Sequence, residues 1–427
     1  MRVLLAGATG MIGQALLHRL RAAGHEVVLG VRDVEAAQRQ WTGAPVVQLD
    51  FSDPGQSRDW PARLAGIDAV INAVGIFREQ GSQTFDALHV KGPGALFEAA
   101  ADAGVGRIIQ LSALGAEPGS EAAYLASKAR ADAALLELDI TATVVQPSLV
   151  FAPQGPSTRW FALLAALPVT PLPGGGKQRI QPVHLDDLVD AIVRLLDSPD
   201  PPRRVHAVGD RALTLREYLD CFKQALGFAR AFMPVPLQWT RAMARLLALR
   251  RDSLVTPEAL RMLEAGNTAD PDAFAAVLGR RPLQAPAFFD GLPRGMMRRT
   301  AQLGWLVPLL RHAVAIMWVV TGVVSAFVFP VESSLDLLAR TGLVGVPALL
   351  ALYGAAALDV ALGVGLWVTS RRRWIYRVQL ALIVFYTVVI TLCLSEYWAH
   401  PYGPVLKNLP LLAAIAILHE LDDGEGT

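Results

Sequence analysis

An α/β fold built on a doubly wound parallel sheet with a small variable lobe, followed by an all-α, four-helix transmembrane bundle, is the fold class the sequence predicts. Three observations predict it. A short apolar run at the start of the chain leads into three evenly spaced glycines and an amphipathic run. Apolar runs and helix-like runs then alternate through residue 150. From residue 309 onward, four strongly apolar stretches follow one another.

The opening stretch is Val3-Leu4-Leu5-Ala6-Gly7-Ala8-Thr9-Gly10-Met11-Ile12-Gly13. Its apolar part reads as a buried parallel strand. Gln14 to Ala23 reads as a helix ending at Gly24. Strand, glycine turn and helix together bind a dinucleotide. A side chain at Gly7 would obstruct the tight turn, one at Gly10 would hold the backbone off the pyrophosphate, and one at Gly13 would keep the helix off the strand. Thr9, Met11 and Ile12 complete the turn. The N–H groups of the helix start face the phosphates, with the helix dipole behind them.

The chain has 427 residues, enough for two or three domains. It is 53% hydrophobic and only 18% charged, with the apolar excess gathered toward the C-terminus. A net charge of +1 gives no pull toward nucleic acid, and no nucleic-acid motif is present. The two cysteines, Cys221 and Cys393, lie far apart, so neither a disulfide framework nor a metal site is expected. The chain starts with a strand rather than a signal peptide, which places the first domain in the cytoplasm.

A second strand, His25 to Val31, runs into Arg32 and Asp33. The residue past this strand meets the adenosine ribose. An Arg there accommodates the 2′-phosphate of NADP(H), whereas an acid favours the free hydroxyl of NAD. Arg32 favours NADPH, with Asp33 as the competing reader. A third strand, Pro45 to Phe51, puts Asp50 in reach of the adenine amino group with Phe51 nearby; alternatively, Asp50 caps a helix. The fourth strand ends in Ala73-Val74-Gly75, small enough to let the backbone pass close to the ribose and nicotinamide.

The fifth strand, Arg107 to Leu111, ends at Ser112, and Tyr124 and Lys128 follow. At i and i+4 these two share one helix face. A phenol has a pKa of ~10, which a neighbouring ammonium lowers. Tyr124 can then protonate a carbonyl oxygen as hydride arrives, with Ser112 bonding the same oxygen and Lys128 holding the nicotinamide ribose.

Residues 1 to about 230 resemble the atypical branch of the short-chain dehydrogenase/reductase superfamily. Within it they are similar to the nucleotide-binding accessory subunit of respiratory complex I and its bacterial relatives. The matching stretches are Gly7 to Gly13, Val31-Arg32-Asp33, Leu111 to Ala116, Tyr124 to Lys128, Gln146 to Phe151 and Gln181 to Asp187. The resemblance implies a Rossmann fold with a variable C-terminal lobe, and sets Pro147 and Ser148 beside the nicotinamide. It also implies a proton-relay Asn after the fourth strand, where this chain has His89. Histidine can relay protons. The complex I relatives are structural rather than catalytic.

Leu172-Pro173-Gly174-Gly175-Gly176-Lys177 reads as a flexible turn at the cleft rim. In His184-Leu185-Asp186-Asp187 an aspartate is expected to cap a helix. Leu237 to Arg251 reads either as a membrane-surface helix or as a core helix that snorkels its arginines, and residues 252 to 292 as an irregular linker or late lobe. The domains are therefore 1–235, a nucleotide-binding domain; 236–304, an amphipathic linker; and 305–427, a membrane domain.

The four apolar stretches are 309–329, 343–369, 374–394 and 405–420, the last of them short. Trp305, Trp374 and Trp398 fall at their ends, as in an aromatic belt. Arg294, Arg298, Arg299 and Arg311 precede the first span, and Arg371, Arg372, Arg373 and Arg377 separate the second from the third. Positive-inside reasoning puts these clusters, the nucleotide domain and the C-terminus in the cytoplasm, at the inner (plasma) membrane. Asp359 lies inside the second span, where an acid faces a partner or a cavity: a quinone head group or a helix-packing hydrogen bond. Residues 305 to 420 resemble the DoxX-like membrane family, whose members are often tied to quinone or sulfur redox work.

The sequence thus predicts a membrane-anchored, NADPH-binding oxidoreductase acting on a lipophilic carbonyl or quinone-like substrate. The alternative is a catalytically silent, nucleotide-bound scaffold of a respiratory or quinone-related membrane complex. Expected partners are the lipid bilayer, a lipophilic substrate and respiratory-chain or quinone-related membrane proteins, with no nucleic acid.

Overall fold

A computed structural model describes residues 1–53, 60–248 and 256–422. The chain divides into two units, Met1–Ala301 and Gln302–Thr427.

The first unit alternates β1 (Arg2–Ala6), α1 (Met11–Ala22), β2 (Glu26–Val31), α2 (Val34–Gln40), β3 (Val46–Gln48), α3 (Trp60–Leu64), β4 (Ala69–Asn72), α4 (Gly92–Asp102), β5 (Arg107–Leu111), α5 (Ala123–Glu137) and β6 (Thr141–Pro147). A seventh strand, Arg204–Ala207, completes a parallel sheet. Its order is Arg204–Ala207, β6, β5, β4, β1, β2, β3. Successive strand residues point to opposite faces, and both faces are covered. Leu5, Leu29, Ile71 and Ile109 pack under α1 and the helix Leu185–Asp197, and Leu4, Val28, Val70 and Ile108 pack under α4. The strand order reverses between β1 and β4, which opens a crevice at the carboxyl ends of these strands.

Three local expectations need correction. Helix α1 starts at Met11, not Gln14, because Gly10 already occupies the N-cap with extended backbone. Strand β3 is shorter than the apolar run, because Asp50 Oδ1 accepts from the Ser52 N–H (2.9 Å) and hydroxyl (2.6 Å) and turns the chain. The cap of Leu185–Asp197 is His184, whose Nδ1 accepts from the Asp186 N–H (3.2 Å). Asp187 instead lies in the core, accepting from the Leu283 N–H (2.7 Å) and pairing with Arg280 (2.6 Å).

The lobe is built on short strand pairs and the helices Pro156–Ala166 and Leu215–Leu226. Gly174, Gly175 and Gly176 all have positive φ, so the glycine run is a tight turn. The stretch expected to be an irregular linker carries helices Pro257–Ala265 and Asp272–Leu278 and a turn at Ala285–Phe289. Phe274, Phe288 and Phe289 anchor it in the core. The helix that begins at Leu237 runs to Leu247; Leu249, Arg250, Arg251 and residues 252–255 lie outside the described residues.

In the second unit the apolar stretches are helices, the first of them within Arg294–Val323, which begins in the first unit and continues as a wider turn to Val328. The next two are Val346–Val368 and Arg373–Cys393. These three are long and apolar enough to cross a bilayer. The fourth, Asn408–Leu421, has 14 residues. At 1.5 Å per residue it is about 21 Å long, short of a ~30 Å hydrocarbon core. An amphipathic helix, Val331–Arg340, follows the first span and had no counterpart in the apolar pattern.

The first two spans touch through small residues. A side chain on Gly322 would strike the Ala356 oxygen (2.5 Å), and one on Gly363 the Ala315 oxygen (2.7 Å). Asp422 is buried at the end of this unit, between Arg311 (2.8 Å), Arg372 (3.6 Å) and the Tyr376 hydroxyl (2.5 Å). Asp359 is buried inside its span, and its Oδ1 has no hydrogen-bond partner among the described residues.

Candidate active site

The crevice at the switch point gathers the glycine turn, the ends of β2 and β4, and one face of α5. Gly7 has φ of +80°, and a side chain there would meet the Ala73 carbonyl carbon at 2.9 Å, so β1 and β4 close against each other only through glycine. A side chain on Gly13 would collide with the Gly7 carbonyl oxygen and come within 2.9 Å of Ala8 Cα. At Gly10 the situation differs. A side chain would meet nothing nearer than the Gly7 oxygen at 3.4 Å, so packing alone does not require glycine there. An open face beside the first-turn N–H groups of Met11, Ile12 and Gly13 fits an anionic group lying on the backbone. The Thr9 carbonyl accepts from Gln14 Nε2 (2.9 Å), which fixes the turn from outside.

Past β2, Asp33 caps α2, its Oδ1 accepting from the Ala36 N–H (2.9 Å). That occupies the competing reader of the ribose. Arg32 beside it is exposed and makes no ion pair or hydrogen bond among the described residues. Asp50 is held in its turn by Ser52. The Phe51 ring is buried and fills the space that a side chain on Gly92 would need.

Helix α5 carries Tyr124 and Lys128 on one face as the spacing predicts, and extends the stripe by a further turn to Asp132. Lys128 is buried, and Nζ donates to the Leu111 (3.0 Å) and Val74 (3.2 Å) carbonyls. It thereby ties the ends of β4 and β5. Gly75 is small for this reason: a side chain there would stand 3.2 Å from Lys128 Nζ. Burial lowers the Lys128 pKa to about 8, and the Asp132 charge opposes that shift. Ala73 continues the β1 contact, its N–H donating to the Ala6 carbonyl (3.0 Å).

Ser112 does not face an open position. Its hydroxyl donates to Asp132 Oδ2 (2.5 Å), which also accepts from Gln146 Nε2 (3.1 Å). Asp132 is 1% exposed, and burial raises its pKa. This carboxylate was missed in the sequence, although its i+4 spacing from Lys128 was the available signal. Pro147, at the end of β6, is half-buried, and the neighbouring Ser148 hydroxyl turns to the Gln181 carbonyl (2.5 Å).

His89 is 0% exposed. Its Nε2 accepts from the Ile76 N–H (3.0 Å), and its Nδ1 lies 2.8 Å from Ser127 Oγ. Since Ser127 donates to the Tyr124 carbonyl (2.7 Å), Nδ1 must be the donor, which assigns a neutral imidazole with both nitrogens engaged. Burial and the nearby Lys128 lower the His89 pKa to about 3. The expected proton relay through His89 is therefore absent from this arrangement; the ring positions a loop.

Tyr124 stands apart from its neighbours. Its hydroxyl makes no hydrogen bond among the described residues, and its ring is walled by Phe77 (5.3 Å), His89 (5.6 Å) and Phe85 (6.0 Å). Its N–H is held by Glu258 (3.0 Å) from the late lobe. The ammonium was expected to lower this phenol. Burial, reinforced by Asp132, pushes it up to about 12 instead, because the Lys128 ammonium is turned to carbonyls. No cluster of metal-ligating side chains occurs among the described residues.

Comparison with known proteins agrees with this geometry. Residues 3–209 match the NAD dependent epimerase/dehydratase family, and residues 315–416 the DoxX-like family. The mitochondrial NADH-ubiquinone oxidoreductase 40 kDa subunit of Neurospora crassa is 26% identical over 245 residues, covering 56% of this chain and 64% of that one. The ceramide reductase of Caulobacter vibrioides is 28% identical over 198 residues, covering 46% and 61%. The chain thus spans less than two thirds of the length of these relatives. The structure of an NADPH-dependent quinone oxidoreductase from Escherichia coli superposes with a TM-score of 0.54 at 19% identity, covering 68% of this chain and 98% of that one, which shows a shared fold. Residues 3–209 are thus similar to the NAD dependent epimerase/dehydratase family, with a Rossmann-like sheet and likeness to a complex I subunit and a bacterial reductase, and residues 315–416 are similar to the DoxX-like family.

Proposed function

We propose that the protein is a membrane-anchored reductase that uses NADPH to reduce a lipophilic carbonyl or quinone-like compound. The observation that carries this reading is the Tyr124 hydroxyl, which has no hydrogen-bond partner among the described residues, while Ser112, Lys128 and His89 are all engaged with protein groups. Burial holds this phenol above its usual pKa, so it stays protonated at neutral pH and would donate only as hydride arrival builds charge on the carbonyl oxygen. A bound reduced nicotinamide would supply the hydride that the carbonyl carbon takes up. Tyr124 gives its proton to the carbonyl oxygen and is reprotonated from solvent. Lys128 holds the ends of β4 and β5 in place. Asp132 keeps the Ser112 hydroxyl proton in its own hydrogen bond. Gly7, Thr9, Gly10, Met11, Ile12 and Gly13 would cradle the pyrophosphate. Arg32 would meet the 2′-phosphate, Asp50 the adenine edge, and Ala73, Val74, Gly75 and Pro147 the ribose and nicotinamide. The ceramide reductase relative supports a substrate drawn from lipids.

The arginine clusters support an orientation with the nucleotide domain in the cytoplasm, at the inner (plasma) membrane, and the C-terminus shares that side if the short helix Asn408–Leu421 also crosses. A second reading is favoured by the sealed His89 and by the complex I relative: a nucleotide-bound scaffold that performs no turnover. The deciding experiment is NADPH oxidation by purified protein in detergent, with long-chain aldehydes and quinones as acceptors, beside Tyr124→Phe. Turnover that the variant loses, with NADPH still bound, supports the reductase. A variant that complements a deletion strain fully supports the scaffold.

A further inference from the structure

The helix Leu237–Leu247 has an unusual outer surface. Trp239 is 67% exposed, Met243 54% and Leu246 63%, while Ala244 is its one fully buried residue. The spacing i, i+4, i+7 aligns the three on a single stripe. A core helix would bury that stripe, so the packing alternative is excluded. The segment contains no acid, and Arg245 and Gln238 lie on the flank of the helix, beyond Ala242 from the stripe. Arg241 is tied back to Glu264 (2.6 and 3.3 Å), fastening the helix to its neighbour Pro257–Ala265 with the apolar stripe outward. At its start, Leu237 packs over the Gly174 turn at the cleft rim. At its end, the Ala248 carbonyl accepts from Arg78 Nη2 (2.7 Å), and the residue before Arg78, Phe77, packs on Tyr124.

We propose that this helix docks on the surface of the bilayer, with Trp239, Met243 and Leu246 inserted among the lipid headgroups and acyl boundary. Two features argue for lipid over a protein partner. The same chain carries helices long and apolar enough to span a membrane, so the first unit is tethered to a bilayer. A short helix with an aromatic and two long aliphatic side chains on one face, basic groups on its flank and no acid has the composition of interfacial helices. Through Ala248 and Arg78 the docked element adjoins the wall of the Tyr124 crevice, the position from which a lipophilic molecule would pass into it. The docking itself does not depend on turnover.

The test uses the full-length protein in lipid nanodiscs. Cys221→Ser and Cys393→Ser remove the native thiols, and Met243→Cys receives a spin label, with Gln38→Cys on α2 as a water-exposed control. The expected result is an oxygen-to-nickel-chelate accessibility ratio several-fold higher at position 243 than at position 38, rising further with anionic lipid. Equal ratios at the two positions overturn the proposal. A label at 243 shielded from both reagents overturns it in favour of a protein partner. NADPH binding, measured on the same samples, confirms that the variants are folded.

Discussion

The two sides of the crevice are built on different principles. On the nucleotide side, backbone dictates the residues: Gly7 and Gly13 are glycine because β1, β4 and α1 approach too closely for a side chain. Its one exposed cation, Arg32, is left without a partner among the described residues. On the α5 side, side chains dictate the structure. Lys128 joins two strand ends, Asp132 holds Ser112 and Gln146, and His89 holds a loop. Among the described residues, the Tyr124 hydroxyl has no hydrogen-bond partner. The contrast teaches that a Rossmann crevice can retain the form of a reductase while most of its polar groups serve the scaffold. On the proposed reading, turnover would rest on the Tyr124 phenol.

The largest effect that would break this comparison lies in the glycine turn. Gly13→Val forces α1 away from Gly7 and Ala8, and overpacking of this kind costs about 1–3 kcal/mol. Loss of measurable NADPH binding by fluorescence titration, with a lowered melting temperature, is the expected outcome. Retention of full affinity would mean that the turn does not hold the nucleotide.

Tyr124→Phe should reduce turnover by about 10²–10⁴-fold, the usual worth of general acid catalysis, and leave NADPH affinity within twofold. Its hydroxyl has no partner to lose, so the melting temperature should hold. Arg32→Ala sharpens the other side. A hydrogen bond to a charged group is worth about 1.5–3 kcal/mol, so NADPH affinity should fall by roughly 10- to 150-fold while NADH affinity stays unchanged. Equal loss for both nucleotides would place Arg32 away from the 2′-phosphate.

The smallest effect concerns acid stability. His89 titrates near 6.5 when unfolded and about 3 when folded. Between those values the unfolded chain binds the extra proton, so stability rises with pH and falls on acidification. This group alone costs about 1.4 kcal/mol per pH unit below 6.5. His89→Gln should flatten the acid limb of urea-unfolding stability by about one proton, and an unchanged slope would show that the ring is not buried as a neutral base.

Much of the fold was legible because its signals are local. Apolar strand, glycine turn and helix follow one another within 24 residues, and the apolar spans are long and nearly free of charge. The Tyr124–Lys128 face was legible because helical periodicity fixes which residues share a side. The stretch 252–292 reads as either a linker or a late lobe because its elements are short; from residue 256 onward their order comes from Phe274, Phe288 and Phe289 entering a core that the rest of the chain provides. Val331–Arg340 was missed because Glu332, Asp336 and Arg340 interrupt its apolar residues, which hides a helix in what hydropathy treats as a loop.

The sequence by itself determined the parallel sheet, the nucleotide turn, the catalytic-looking stripe on α5 and the apolar spans. Each follows from spacing and residue type within one segment. Only the tertiary structure decided that Ser112 donates to Asp132, that His89 is a sealed neutral ring, that Asp33 is a cap and leaves Arg32 unpaired, and that Trp239, Met243 and Leu246 face outward. Those outcomes depend on which of several possible partners lies within about 3 Å, a distance set by the packing of segments far apart in the chain.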